Sequence, residues 1–232
     1  MSNSIVVYWA SLEDEWMRAV EPFPIYKDFA KTEKCISSKI EFCPSFKKYL
    51  NNYFGLKSIY DYEFEINEND FIVSNKFDQA FYEKHVEVRS IDHKSFSFRQ
   101  ELIFFTEEKS LELSVGINPF LEDNNITERC NVIPGTLDIG KWFRAMDFAF
   151  FLKNNYNSFK IKEDEVYSYI NFNTDKKIIF KQFLPNDYLN RNIQNVLYSK
   201  FYRRQKFRNL EEYYSMFKNK KNIIKEIKNN LI

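Results

Sequence analysis

The chain has 232 residues, of which 25 are Phe, 15 Tyr and 3 Trp but only 4 Gly, with a formal net charge of +1. An apolar fraction of 44% excludes a low-hydrophobicity disordered chain, since each buried aromatic removes roughly 150–250 Å² from water. Gly55, Gly116, Gly135 and Gly140 spell no G-x-G-x-x-G, no Walker loop and no G-x-S-x-G elbow, which argues against a nucleotide fold that cradles phosphate on glycine-rich backbone.

The first element is a β-rich run, Ile5 to Trp9; the apolar stretch Ile5 to Ala10 is too short for a signal peptide and lacks its basic flank, and no window approaches the roughly 20 apolar residues of a membrane span. Glu21-Pro22-Phe23-Pro24 breaks regular structure. A helix is expected from Pro44, with Phe46, Tyr49, Leu50 and Tyr53 at helical spacing and Gly55 as its stop. From Ile59 to Ile66, Asp61, Glu63 and Glu65 alternate with Tyr60, Tyr62, Phe64 and Ile66, the pattern of a half-buried strand with a solvated acidic face. Asn67 to Asp70 reads as a turn into Phe71-Ile72-Val73. Further strands are expected at 85–91, 95–105, 111–117, 147–153, 159–161, 166–172 and 177–183, separated by Asn, Asp, Pro and Gly punctuation. Short strands at this spacing favour an antiparallel sandwich or barrel over alternating βαβ units.

The pattern changes after Pro185. Residues 1–185 hold 23 basic and 29 acidic side chains, whereas residues 186–232 hold 11 and 4, so an acidic body precedes a basic tail. Leu189, Ile193, Val196, Leu197 and Phe201 form a helical stripe that Asn186 can cap. A second helix is expected at Asn209, with Glu212 three residues on, and Tyr213, Phe217, Ile224, Ile227 and Leu231 along one side. The expected architecture is α+β and mainly β: residues 1–185 as a body with one short helix near 44–54, and residues 186–232 as a C-terminal helical hairpin packed on it.

Few residues carry chemistry. His85 and His93 read as surface or rim residues, and with Cys35, Cys43 and Cys130 they lack the spacing of a structural zinc site. The three cysteines read as free thiols in a reducing compartment. No metal or cofactor is expected. The most individual stretch is Ile133 to Arg144, which spends two of the four glycines and adds Asp138, Trp142 and Arg144. Pro134-Gly135 suits a turn in which Gly takes φ > 0, and Gly140 allows a second bend or a close backbone approach. One reading is a tight connection pinned by aromatics, with Asp138 and Arg144 paired. The other is a ligand-binding loop formed by Gly135, Asp138, Gly140, Trp142 and Arg144. In the tail, Lys200, Arg203, Arg204, Lys206 and Arg208 are interleaved with Phe201, Tyr202 and Phe207 and form a candidate nucleic-acid-binding segment.

Val132 to Phe172 resembles the end of a dUTPase or dCTP-deaminase β-clip domain. Gly135-Thr136-Leu137-Asp138 is similar to that family's Gly-x-Ile-Asp turn, Leu152-Lys153-Asn154 to the following strand end, and Phe159 to Ile170 to its last strand. Glu163-Asp164-Glu165 stands where the family has Gly-Asp. The resemblance implies that Asp138 holds a deoxyribose and the attacking water. The family's phosphate motif and glycine-rich arm are absent.

Over most of its length the chain also resembles an uncharacterised family encoded by tailed bacteriophages. The resemblance rests on the early Tyr-Trp strand, Phe42 to Ser45, Ile133 to Arg144, Lys162 to Glu165 and Lys225 to Ile232. It implies a phage setting, in host cytoplasm or virion. The leading expectation is a non-catalytic structural or accessory protein working through a protein partner or self-association. A nucleotide-binding β-clip protein centred on Asp138 and a nucleic-acid-binding accessory protein are the alternatives. No membrane role is expected.

Overall fold

Alternation of apolar residues explains the sheets. In Ser4–Ser11 (β1), Ile5, Val7 and Trp9 enter one core while Tyr8 and Ala10 enter another on the opposite face. Ser95–Thr106 (β7) does the same: Phe96, Phe98, Leu102 and Phe104 face the first core, and Ile103 and Phe105 the second. A two-residue side-chain period dictates this split, and a strand buried on both faces must have a layer on either side. The computed structural model describes residues 3–11, 20–25, 43–67, 71–73, 79–116, 125–203 and 209–232.

Among the described residues three sheets form the body. The largest contains β1, β7, Val86–Ser90 (β6), Cys130–Val132 (β9), Ala145–Leu152 (β11) and Lys177–Gln182 (β14), in the order β14-β1-β7-β11-β9 with β6 also on β7. The second runs β10-β8-β13-β3-β2, from Gly135–Asp138 (β10), Glu112–Gly116 (β8), Val166–Phe172 (β13), Tyr53–Lys57 (β3) and Phe23–Pro24 (β2). The third joins Ser158–Ile161 (β12), Tyr62–Ile66 (β4) and Phe71–Val73 (β5). The fold is mainly β and sandwich-like, and the described strands close no barrel. Pairing is antiparallel except that β1 and β14 run parallel. The main core lies between the sheets, where rings such as Phe64, Phe96, Phe98, Phe150 and Phe159 pack edge-on or stacked with centroids 5.0–5.6 Å apart. Offset and edge-to-face geometries of this kind add to plain area burial.

The second core seats the tail. Asp187–Arg203 (α4), Leu210–Met216 (α5) and Lys220–Asn229 (α6) follow the body, and Leu189, Ile193, Ile223, Ile224 and Ile227 pack on Tyr8, Ala10, Ile103, Phe105 and Phe143. Asn186 Oδ1 accepts the Leu189 N–H at 3.0 Å, and Asn209 Oδ1 accepts the Glu212 N–H at 3.0 Å, the caps expected from the sequence. The hairpin's second arm is not one helix. It breaks at Phe217 to Asn219, where Phe217 turns extended and packs edge-on to Phe105 at 5.7 Å.

Other expectations need correction. The helix Pro44–Leu50 (α1) is stopped by Asn52, in the left-handed region at φ 59°, whose amide bridges to Thr174 O and Lys176 O. Gly55 instead lies inside β3, where a Cβ would come within 2.4 Å of the Phe23 ring. Asp164, at φ 67°, takes a left-handed turn position between β12 and β13. Among the described residues the body carries two further short helices, Gln79–His85 (α2) and Asn125–Arg129 (α3). His85 is buried, not at the rim, packed beside Phe81 and Tyr60 with ring centroids 4.4 and 5.1 Å away. His93 lies exposed in the turn after β6. Cys43 is exposed and Cys130 buried, whereas Cys35 and most of the Asn67–Asp70 turn lie outside the described residues. Among the described residues no helix is long and apolar enough to cross a membrane.

Candidate functional site

The Ile133–Arg144 stretch is a joint between the second sheet, the first sheet and the tail. Gly135 does not make the expected turn: it opens β10, paired with Val115, and no glycine has positive φ. Nothing lies within 4 Å of a Cβ built on it. Gly140 is the glycine that the fold requires. A Cβ there would sit 2.5 Å from the Glu108 carbonyl oxygen, so only a bare Cα lets the 138–141 turn lie against the β7–β8 connection. The spacing from Gly135 to Lys141 matches part of a P-loop, but Trp142 replaces the hydroxyl residue and the segment is a paired strand with no helix following.

Asp138 holds this joint together. Its side chain is 5% exposed. Oδ1 accepts the Leu111 N–H at 3.0 Å and the Gly140 N–H at 2.9 Å. Oδ2 accepts the Ser110 hydroxyl at 2.5 Å and meets the Lys141 ammonium at 3.3 Å. A carboxylate offers about four acceptor positions, and here all are taken. Burial pushes the Asp138 pKa up, but the donors from Ser110, Leu111, Gly140 and Lys141 outweigh it and the net shift is downward. Its backbone N–H donates to the Tyr214 hydroxyl at 2.8 Å, which ties the turn to α5.

Asp138 and Arg144 do not pair. Arg144 donates to the Ala145 carbonyl at 2.7 Å, meets Asp147 at 3.3 Å and lies 4.8 Å from the centroid of the Trp142 ring. Trp142 stacks on Tyr213 at 5.4 Å and meets Tyr214 edge-on at 5.9 Å. The loop's aromatic and charged groups are thus spent on one another and on α5.

Beside this joint an open groove of about 850 Å³ runs between the turn and the α5–α6 break. Lys109, Lys141, Lys218, Lys220 and Lys221 line it, against one carboxylate, Glu107. Lys220 reaches back to donate to the Gly140 carbonyl at 2.6 Å and to the Glu108 carbonyl, which latches α6 onto the joint. Burial lowers its pKa, partly offset by Asp138, Glu108 and Glu107. Glu107 is itself held by the Tyr8 hydroxyl at 2.6 Å and by Lys228 at 2.9 Å. The groove was not legible in the sequence, because its lysines come from three separate connections.

The tail candidates are placed only in part. Lys200 and Arg203 fall on α4, with side chains outside the description, and Arg204, Lys206 and Arg208 lie outside the described residues. Among the described residues no group of three or more His, Cys, Asp or Glu could hold a metal ion. No family model, curated protein or solved structure matches the chain.

Proposed function

We propose that the chain is a non-catalytic structural or accessory protein of a tailed bacteriophage, acting in the host cytoplasm or the virion by holding a protein partner or another copy of itself. The observation that carries this reading is the state of Asp138. The carboxylate best suited to chemistry is saturated by Ser110, Leu111, Gly140 and Lys141 and buried within the joint. Binding a sugar hydroxyl or an attacking water would require it to release an internal donor, and each stranded buried donor costs about 1–3 kcal/mol.

A contact surface is available elsewhere. Ile133 and Phe151 are 40% and 38% exposed. They share the outer face of the first sheet at its β9 edge, outside the cluster that seats α4 and α6. A short edge strand flanked by exposed apolar side chains suits association with another chain. The test is proteomics of purified virions together with the protein's mass in solution. Presence in the virion or a defined oligomer is expected. A monomer absent from virions contradicts the reading.

A further inference from the structure

We infer that the lysine groove beside the Gly140 turn binds the phosphate backbone of single-stranded nucleic acid. Three of its five lysines are left without a side-chain partner among the described residues. Lys141 is engaged by Asp138 and Glu211, and Lys220 by two carbonyls. Lys109, Lys218 and Lys221 are exposed, and their side chains have no ion pair or hydrogen bond among the described residues. They come from the β7–β8 connection, the α5–α6 break and the first turn of α6, yet converge on one concavity. Like charges gathered in a groove repel one another, and a polyanion relieves that repulsion while releasing its own counterions.

The surroundings favour an anionic ligand over a cation or an apolar one. Glu107, the one carboxylate lining the groove among the described residues, is neutralised by Lys228, while Asp138, Glu108 and Glu211 act on Lys141 and Lys220 and leave the other three lysines uncompensated by any ion pair among the described residues. No acidic residue stands in the first turn of α6, and Asn219 makes no side-chain cap bond there, so the positive end of that helix adds to the lysines.

Continuity favours an extended strand over a lone phosphate. A smaller notch of about 200 Å³ shares Phe217, Lys218 and Asn219 with the groove and is walled by Asn192, Asn195 and Val196 of α4. The concavity therefore extends from the Gly140 turn to the face of α4. The same helix continues from Val196 to Lys200 and Arg203. The rings lining the groove are packed against the protein's own residues: Tyr214 against Trp142, and Phe217 against Phe105. Recognition here is consequently by charge and independent of sequence. This site is separate from the contact surface and survives or fails without it.

The experiment is fluorescence anisotropy of a labelled oligothymidylate, and in parallel an oligouridylate, with the full-length protein over a range of salt. Wild type is expected to bind both at low salt. Lys109→Ala/Lys218→Ala/Lys221→Ala is expected to bind about tenfold or more weaker, with the salt slope reduced by about 2, since each phosphate contact on a single strand contributes roughly 0.7. These side chains have no partners among the described residues, so the variant should melt with wild type. A control, Lys48→Ala/Lys176→Ala/Lys177→Ala, removes equal charge from residues that do not line the groove and should bind as wild type. No binding at low salt overturns the inference. So does undiminished binding by the triple variant, or equal displacement of the oligonucleotide by polyglutamate or tripolyphosphate at matched charge.

Discussion

Replacing Asp138 by Ala should unfold the joint before it affects any chemistry. The substitution strands the Leu111 and Gly140 amides, both buried and now bonded at 3.0 and 2.9 Å. Each unsatisfied buried donor costs about 1–3 kcal/mol, so the pair costs about 2–6 kcal/mol, a large share of the roughly 5–15 kcal/mol that holds a domain folded. Ser110 is exposed and Lys141 partly exposed, so both can turn to water and add little. A loss near 3 kcal/mol lowers Tm by roughly 6–12 °C in a chain of this size. Asp138→Asn keeps an oxygen for the two amides, and the Ser110 hydroxyl can reverse to accept from the new amide group. Its cost should be about 1–2 kcal/mol, the margin between charged and neutral hydrogen bonds. Urea titration followed by tryptophan fluorescence measures both, with Trp142 next to the turn, and the m-value should not change. An alanine variant within about 0.5 kcal/mol of wild type would refute the reasoning.

Three further outcomes are expected. Gly140→Ala should cost about 1–3 kcal/mol, because its Cβ would meet the Glu108 carbonyl oxygen, whereas Gly135→Ala, with open space and no positive φ, should be neutral or gain up to about 1 kcal/mol; paired melts compare them. The Asp138 pKa is lowered in the fold, so its contribution is complete above the unfolded value near pH 4 and is lost as pH falls through the folded one. Acid titration of Asp138→Asn should accordingly show a shallower loss of stability below about pH 4 than wild type; equal slopes would contradict this. Burial pushes the Cys130 thiol pKa up to about 12, so iodoacetamide at neutral pH should label exposed Cys43 and spare Cys130 until the chain is unfolded, as read by peptide mass spectrometry.

What was legible in the sequence follows the range of the interactions involved. Strand β4 is written in the alternation of Tyr62, Phe64 and Ile66 with Glu63 and Glu65, and the caps at Asn186 and Asn209 in local spacing, because period and capping act over a few residues. The joint is different. Asp138 was singled out, but its partners Ser110 and Leu111 stand 28 and 27 residues away, and Tyr214 stands 76 away. Nothing local distinguishes a carboxylate that binds a ligand from one that closes a turn. The Gly135-to-Gly140 spacing misled for the same reason. Only the approach of the Glu108 backbone shows that Gly140 is needed for room and that Gly135 needs no special conformation. The break in the tail at Phe217 answers to Phe105, again distant in sequence.

The central claim is that Asp138 serves architecture and not catalysis. It is tested most directly by pyrophosphate and phosphate release from deoxynucleoside triphosphates with Mg²⁺, comparing wild type with Asp138→Asn. The account predicts release at the rate of the protein-free blank for both, with the variant distinguished only by its lower urea midpoint. Turnover by wild type that vanishes in an Asp138→Asn variant of unchanged stability would contradict it.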